Sequence, residues 1–132
     1  MHLILPSLKL HSSDKDKWKC TFAFTAEQIH CNHIGTLHGG CTASLFDFCT
    51  ACPLVYINKA GYWLFLGVSR NLNINYIRPA MCGETVLIEC EIVHVGQRQC
   101  SLRGVMRRQE DGSILATCDH GKANFDPPQP KV

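Results

Sequence analysis

Apolar positions along the chain change their period, and the changes divide it into elements. Hydrophobic and polar residues alternate around Leu8–His11 and again around Trp18–Thr25, with a polar stretch over Ser12–Lys17 between them. That pattern predicts two strands joined by a turn. A polar loop, AEQIHCNHIGTLHGG, follows over residues 26–40. From Gly39 to about Asn58 the period lengthens: Cys41, Leu45, Phe48, Cys52 and Val55 recur at steps of three and four, which predicts a helix. Pro53 removes one hydrogen bond from it and predicts a kink or a looser last turn before Lys59-Ala60-Gly61 closes it. The remainder is strand-like. Residues 62–79 are rich in β-branched and aromatic side chains, but Asn71, Asn73 and Asn75 make them polar for a core strand. Over residues 84–96, Val86, Ile88, Cys90 and Ile92 share one face and Glu89, Glu91 and Val93 the other. Residues 97–109 alternate too, the Asp-Gly pair within Glu110–Ser113 signals a hairpin, and residues 114–125 form the return strand. Two strands, one long apolar helix and three or four antiparallel strands make an α+β domain. A helix this apolar must be wrapped by the sheet. The domain is expected over residues 1–126, with a flexible tail over 127–132.

The chain has 132 residues, enough for one domain with one core. Its net charge of +2 comes with few basic clusters, Arg107-Arg108 being the only adjacent pair, and no aromatics interleave with a basic stripe. Nucleic-acid binding therefore has little support. MHLILPSLKLHSS has no cationic start and no long apolar core, so it does not read as a signal peptide. Residues 41–57 are apolar, but Asp47 and Pro53 interrupt them and they fall short of the roughly 20 residues a membrane span needs. A soluble, cytoplasmic protein is expected, with mitochondria also allowed. The nine cysteines read as reduced core thiols, because the count is odd and no secretory signal is present.

Asp47 is the only fully charged side chain between Glu27 and Lys59. A buried carboxylate is costly unless paired, hydrogen-bonded or protonated, so its presence on an apolar helix needs a reason. At 100° per residue it shares a stripe with Gly40, Ala43, Ser44, Thr50, Ala51 and Leu54, while Cys41, Leu45, Phe48 and Cys52 form the bulkier stripe expected to face the sheet. Small residues around Asp47 leave room for a substrate or a second subunit. A structural hydrogen-bond anchor and a merely solvated aspartate are the alternatives. Upstream, His38-Gly39-Gly40 opens the helix, where backbone N–H groups lack intrahelical partners and can hold an anion or a polarised carbonyl. An ordinary glycine-rich helix start is the alternative there.

His30, Cys31, His33, His38 and Cys41 crowd one loop, and Cys49-x-x-Cys52 has a redox or zinc spacing. No second paired motif completes a four-ligand set, and Cys49 and Cys52 fall within the helix rather than at its start. Neither a metal centre nor a cysteine nucleophile is expected.

NHIGTLHGGCTASLFD (Asn32–Asp47), followed by GVSRNLNINYIRPA (Gly67–Ala80), resembles the hotdog-fold acyl-CoA thioesterases of the small tetrameric type, over about Leu8–Phe125. The resemblance implies a hotdog fold, with the long helix wrapped by an antiparallel sheet. It also implies a homodimer with sites at the subunit interface, paired again into a homotetramer, and an acyl-CoA substrate with no cofactor. Asp47 matches the family's general base or nucleophile. Asn32 and the Gly39 N–H match the groups that hold the thioester carbonyl, and Ser69 matches the hydroxyl that helps position the water. His38 matches the motif histidine, expected to organise the loop, and Gly40, Arg70 and Arg78 join it as expected substrate contacts. Arg107, Arg108 and Lys122 are further candidates for the phosphates of coenzyme A. Two departures from the family are expected: no N-terminal helix before the first strand, and a central helix interrupted by Pro53. The alternatives are a hydratase or dehydratase of acyl thioesters and a non-catalytic acyl-thioester binder.

Overall fold

The computed structural model describes residues 2–128. A short 3-10 turn (Leu5–Ser7) leads into β1 (Leu8–Asp14) and β2 (Lys19–Thr25). Helix α1 (Gly39–Ala51) continues as a 3-10 turn over Cys52–Tyr56, followed by β3 (Val68–Tyr76), β4 (Thr85–Val95), β5 (Gln99–Arg108) and β6 (Ile114–Ala123). The six strands form one antiparallel sheet in the order β1-β2-β4-β5-β6-β3. The sheet wraps α1 as expected. Leu45, Phe46 and Cys49 are fully buried and join Phe24, Val86, Ile88, Met106 and Leu115 in one cluster. A second cluster, Leu54, Trp63, Ile92, Cys100 and Leu102, lies under the end of the helical segment.

Pro53 acts as its chemistry dictates. It sits at the start of the 3-10 turn, so the missing N–H falls where the α-helix has ended. The strand alternation of residues 84–96 is also found, with Val86, Ile88, Cys90 and Ile92 buried in turn along β4. Three expectations change. β1 runs on to Asp14, and the turn is confined to a 3-10 segment over Lys15–Lys17, whose backbone N–H at Lys17 is capped by the Asp14 carboxylate. β3 starts only at Val68, because Gly67 has φ +65° and a Cβ there would run into the Ala123 carbonyl. The helix is also rotated from the expected face. Thr42, Leu45, Phe46, Cys49 and Thr50 are buried, whereas Phe48 is exposed and Cys41 and Cys52 are only half-buried. Position 46 competes with position 48 for the core, and both are Phe, so periodicity alone did not separate them. Of the tail expected over 127–132, residues 129–132 lie outside the described residues.

What lets α1 lie close to the sheet is Gly104 on the central strand β5. A Cβ there would come within 2.8 Å of the Phe46 ring and 2.9 Å of the Thr50 methyl. Gly104→Ala should therefore destabilise the fold by about 1–3 kcal/mol through overpacking, read as a lower denaturant midpoint at unchanged slope. An unchanged midpoint would mean that helix and sheet are not held by this contact.

Candidate active site

Helix α1 presents its third turn to the inner end of β3 and β6. Asp47 projects from the exposed flank of the helix, its side chain 58% exposed in the single chain, so the expected burial of this carboxylate is not found. Its Oδ1 accepts from the Ser69 hydroxyl at 3.3 Å and lies 3.7 Å from Nε2 of His120. Ser69 reaches it through a bulge. Ser69 pairs with Lys122 and Asn71 with Gly121, leaving Arg70 as the extra residue. Plain alternation would put Ser69 and Asn71 on one face; the bulge instead turns Ser69 inward with Leu72 and Ile74. Arg70 itself is left exposed.

His120 is the residue that sequence reasoning missed. It is 1% exposed and connects helix to edge strand. Thr50 donates its hydroxyl proton to the Phe46 carbonyl at 2.6 Å. Its Oγ1 therefore accepts the proton on His120 Nδ1, 2.7 Å away. Neutral His120 then presents a bare Nε2 to the Ser69 hydroxyl at 2.7 Å. Ser69 has one proton for two acceptors, and the shorter contact is to the imidazole. Burial pushes the His120 pKa down, the Lys122 charge pushes the same way, and Asp47 opposes both. The signal was present in the period of β6: Ala116, Cys118, His120 and Lys122 alternate onto the buried face.

The other end of the helix carries the carbonyl-holding candidates. His38 is the N-cap, and its Nδ1 accepts the Gly40 N–H at 2.9 Å. His38 thus caps the helix start, and the Gly40 N–H is consumed there rather than offered to a ligand. Gly39, the first helical residue, has no acceptor for its N–H among the described residues. Asn32 accepts the Ile34 and Thr36 N–H groups on Oδ1, each at 3.1 Å, and donates from Nδ2 to Thr36 Oγ1 at 2.7 Å. One of its two amide hydrogens is left over. Tyr76, at the far end of β3, donates its hydroxyl to the Gly39 carbonyl at 2.7 Å.

The basic candidates divide. Arg107 is paired with Glu89 and Arg108 with Glu84 and Asp111, so neither is held ready for a phosphate. Arg78 donates to the Ile114 carbonyl at 3.2 Å and borders a cavity of about 280 Å³ together with Gly39 and Tyr76. Lys122 borders a cleft of about 460 Å³ with Ser44, Asp47, Phe48, Ala51, Cys52 and Leu66. In the crowded loop, His30 is buried with both nitrogens engaged, Nδ1 by the Glu27 N–H and Nε2 by the Leu3 carbonyl. No helix among the described residues is long and apolar enough to cross a membrane.

The His120 network predicts a tautomer and a pH response. Nitrogen NMR at pH 7 should find His120 neutral with its proton on Nδ1, titrating below the ordinary histidine value of 6.5. The unfolded chain takes up that proton first, so this stabilising contribution, full above pH 6.5, is lost as the pH falls through the folded value. A charged His120 at pH 7 would contradict the arrangement.

Comparison with known proteins bears on the family and the fold. Residues 34–115 match the family model described as the thioesterase superfamily. Acyl-coenzyme A thioesterase 13 of Mus musculus is 30% identical over 119 residues, which cover 90% of this chain and 81% of that protein. The crystal structure of zebra fish thioesterase superfamily member 2 superposes with a TM-score of 0.80 at 28% identity, covering 90% of this chain and 82% of the other. A hypothetical thioesterase from Streptococcus pneumoniae TIGR4, crystallised with coenzyme A, has a TM-score of 0.80 at 17% identity, covering 94% and 90%, and speaks for the fold alone.

Proposed function

The chain belongs to the thioesterase superfamily and has its hotdog fold, and from that premise we propose that it hydrolyses acyl-coenzyme A at a site shared by two copies of itself. The observation that carries the proposal is a separation. Gly39 and Asp47 lie eight residues apart on one helix, about 12 Å along its axis at 1.5 Å per residue. One thioester carbonyl cannot touch both. The edge strand supplies a solution. β3 has no neighbour on its outer side among the described residues; Ser69, near its start, touches Asp47, and Tyr76, at its end, touches Gly39. Antiparallel pairing of β3 with the same strand of a second copy, centred on Leu72, sets Val68 opposite Tyr76. Asp47 of one copy then approaches Gly39 of the other. The asparagines on this strand suit an edge that closes on its own copy rather than a core position.

In that site the free Gly39 N–H and the spare Asn32 amide hydrogen polarise the thioester carbonyl. Asp47 of the other copy takes a proton from water as it attacks, or attacks the carbonyl itself. The proton Asp47 gains passes to the departing thiolate or, from this open flank of the helix, to water, while Ser69 within hydrogen-bond reach holds the carboxylate in place. The acyl-coenzyme A substrate is supported by the named activity of the Mus musculus relative. A hydratase would need an acid and a histidine both facing substrate. His120 is close to Asp47, but it is enclosed, with both nitrogens engaged, which disfavours that reading.

Asp47→Asn should lower acyl-coenzyme A hydrolysis by about 10²–10⁴-fold with the assembly intact by light scattering. Near-native turnover by this variant would overturn the assignment. Gly39→Pro removes the critical N–H and adds a ring whose Cβ would meet Tyr76 at an ordinary 3.6 Å, at a position where proline suits a helix start and after a residue already extended (His38, ψ 135°). It should cost about 10²–10³-fold in kcat. Asn32→Ala and Ser69→Ala should each cost less than Asp47→Asn, and a larger loss from either would reverse the roles of these residues.

A further inference from the structure

Lys122 is unusual among the lysines. It is 7% exposed, whereas Lys9, Lys15, Lys17 and Lys19 are all exposed. Its Nζ has no hydrogen bond and no ion pair among the described residues. Fully enclosed side-chain nitrogens and oxygens among those residues all have partners, so this unpartnered Nζ is the part of the residue that meets open volume. That volume is the 460 Å³ cleft it shares with Asp47, and Lys122 stands directly across the β3–β6 ladder from Ser69.

Resting on the thioesterase reading, we propose that Lys122 is an acyl acceptor: a thioester held in the Asp47 cleft acylates its Nζ and leaves a stable amide on the enzyme. In this step the amine nitrogen attacks the thioester carbonyl carbon and a C–N bond forms. The C–S bond breaks, and the departing thiolate takes the proton the amine gives up. Acyl thioester and lysine become acyl-lysine and free thiol, with no oxidant or further reactant. Burial favours the uncharged, nucleophilic form by pushing the Lys122 pKa below the ordinary lysine value, and Asp47 opposes this only in part. Cys52, the thiol in the same cleft, is pushed up to about 12 and stays protonated, so it does not compete. His120 and Ser69 are engaged with one another, which leaves the Lys122 amine as the free nucleophile beside Asp47.

The test uses the whole protein and octanoyl-coenzyme A. After incubation and hydroxylamine treatment to clear acyl groups from cysteines, peptide mass mapping should find octanoyl-lysine at Lys122 several-fold above any exposed lysine. Excess free coenzyme A should suppress acylation at Lys122 but not at Lys9 or Lys15. Unfolding the protein first should abolish the preference. Lys122→Arg, checked for native circular dichroism, should lack the modified species in its intact mass. Thiol release over many turnovers is recorded on the same samples. Turnover without preferential Lys122 acylation would overturn this inference and leave the hydrolase reading standing. Absence of both would overturn both.

Discussion

A helix rises 1.5 Å per residue, and that fixed spacing governs how this protein can work. The one carboxylate of helix α1 and its unclaimed N–H at Gly39 lie two turns apart on the same rod, which packs against Gly104. No side-chain rotation brings them to a common atom. A site that needs both must be assembled from two helices, and the open edge of β3 offers a way to align them. The same strand touches Asp47 at one end and Gly39 at the other, so pairing it with its own copy inverts the two ends and superposes the two functions. In the proposed reading the dimer is part of the chemistry.

The carboxylate sits on an apolar helix without the penalty a buried charge would carry, because the single chain leaves it largely exposed. Assembly would cover it. One donor remains to hold the charge, the Ser69 hydroxyl within hydrogen-bond reach. Thr50 makes the hydrogen bonds behind it directional. By giving its proton to the Phe46 carbonyl, it obliges His120 to donate from Nδ1 and to accept from Ser69. A helix backbone carbonyl thus determines which tautomer His120 adopts.

Much of this was legible in the sequence, and what was not has identifiable causes. The strand alternation of β4, the wrapped helix and the looser turn at Pro53 follow from period and from proline chemistry, and the structure has them. The face of α1 was misread because Phe46 and Phe48 are equally apolar, and the space over Gly104 on β5 that takes the Phe46 ring is set by the tertiary fold. Asp47, Gly39, Asn32 and Ser69 were singled out as candidates through residue type and resemblance. His120 was missed because its role depends on which way β6 faces and on a bulge at Arg70 that no local pattern announces. Arg107 and Arg108 looked available for phosphates until their cross-strand and turn acids were in place.

The two-copy site is tested most directly by mixing chains with complementary defects. Gly39→Pro chains and Asp47→Asn chains, each nearly inactive alone, are unfolded together and refolded. Random reassortment makes about half the dimers mixed, and each mixed dimer has one site with both native groups and one with neither, so about a quarter of native activity should return. If mixing restores nothing although mixed dimers are present by mass, the carbonyl-holding N–H and the carboxylate act within one chain, and the shared site does not exist.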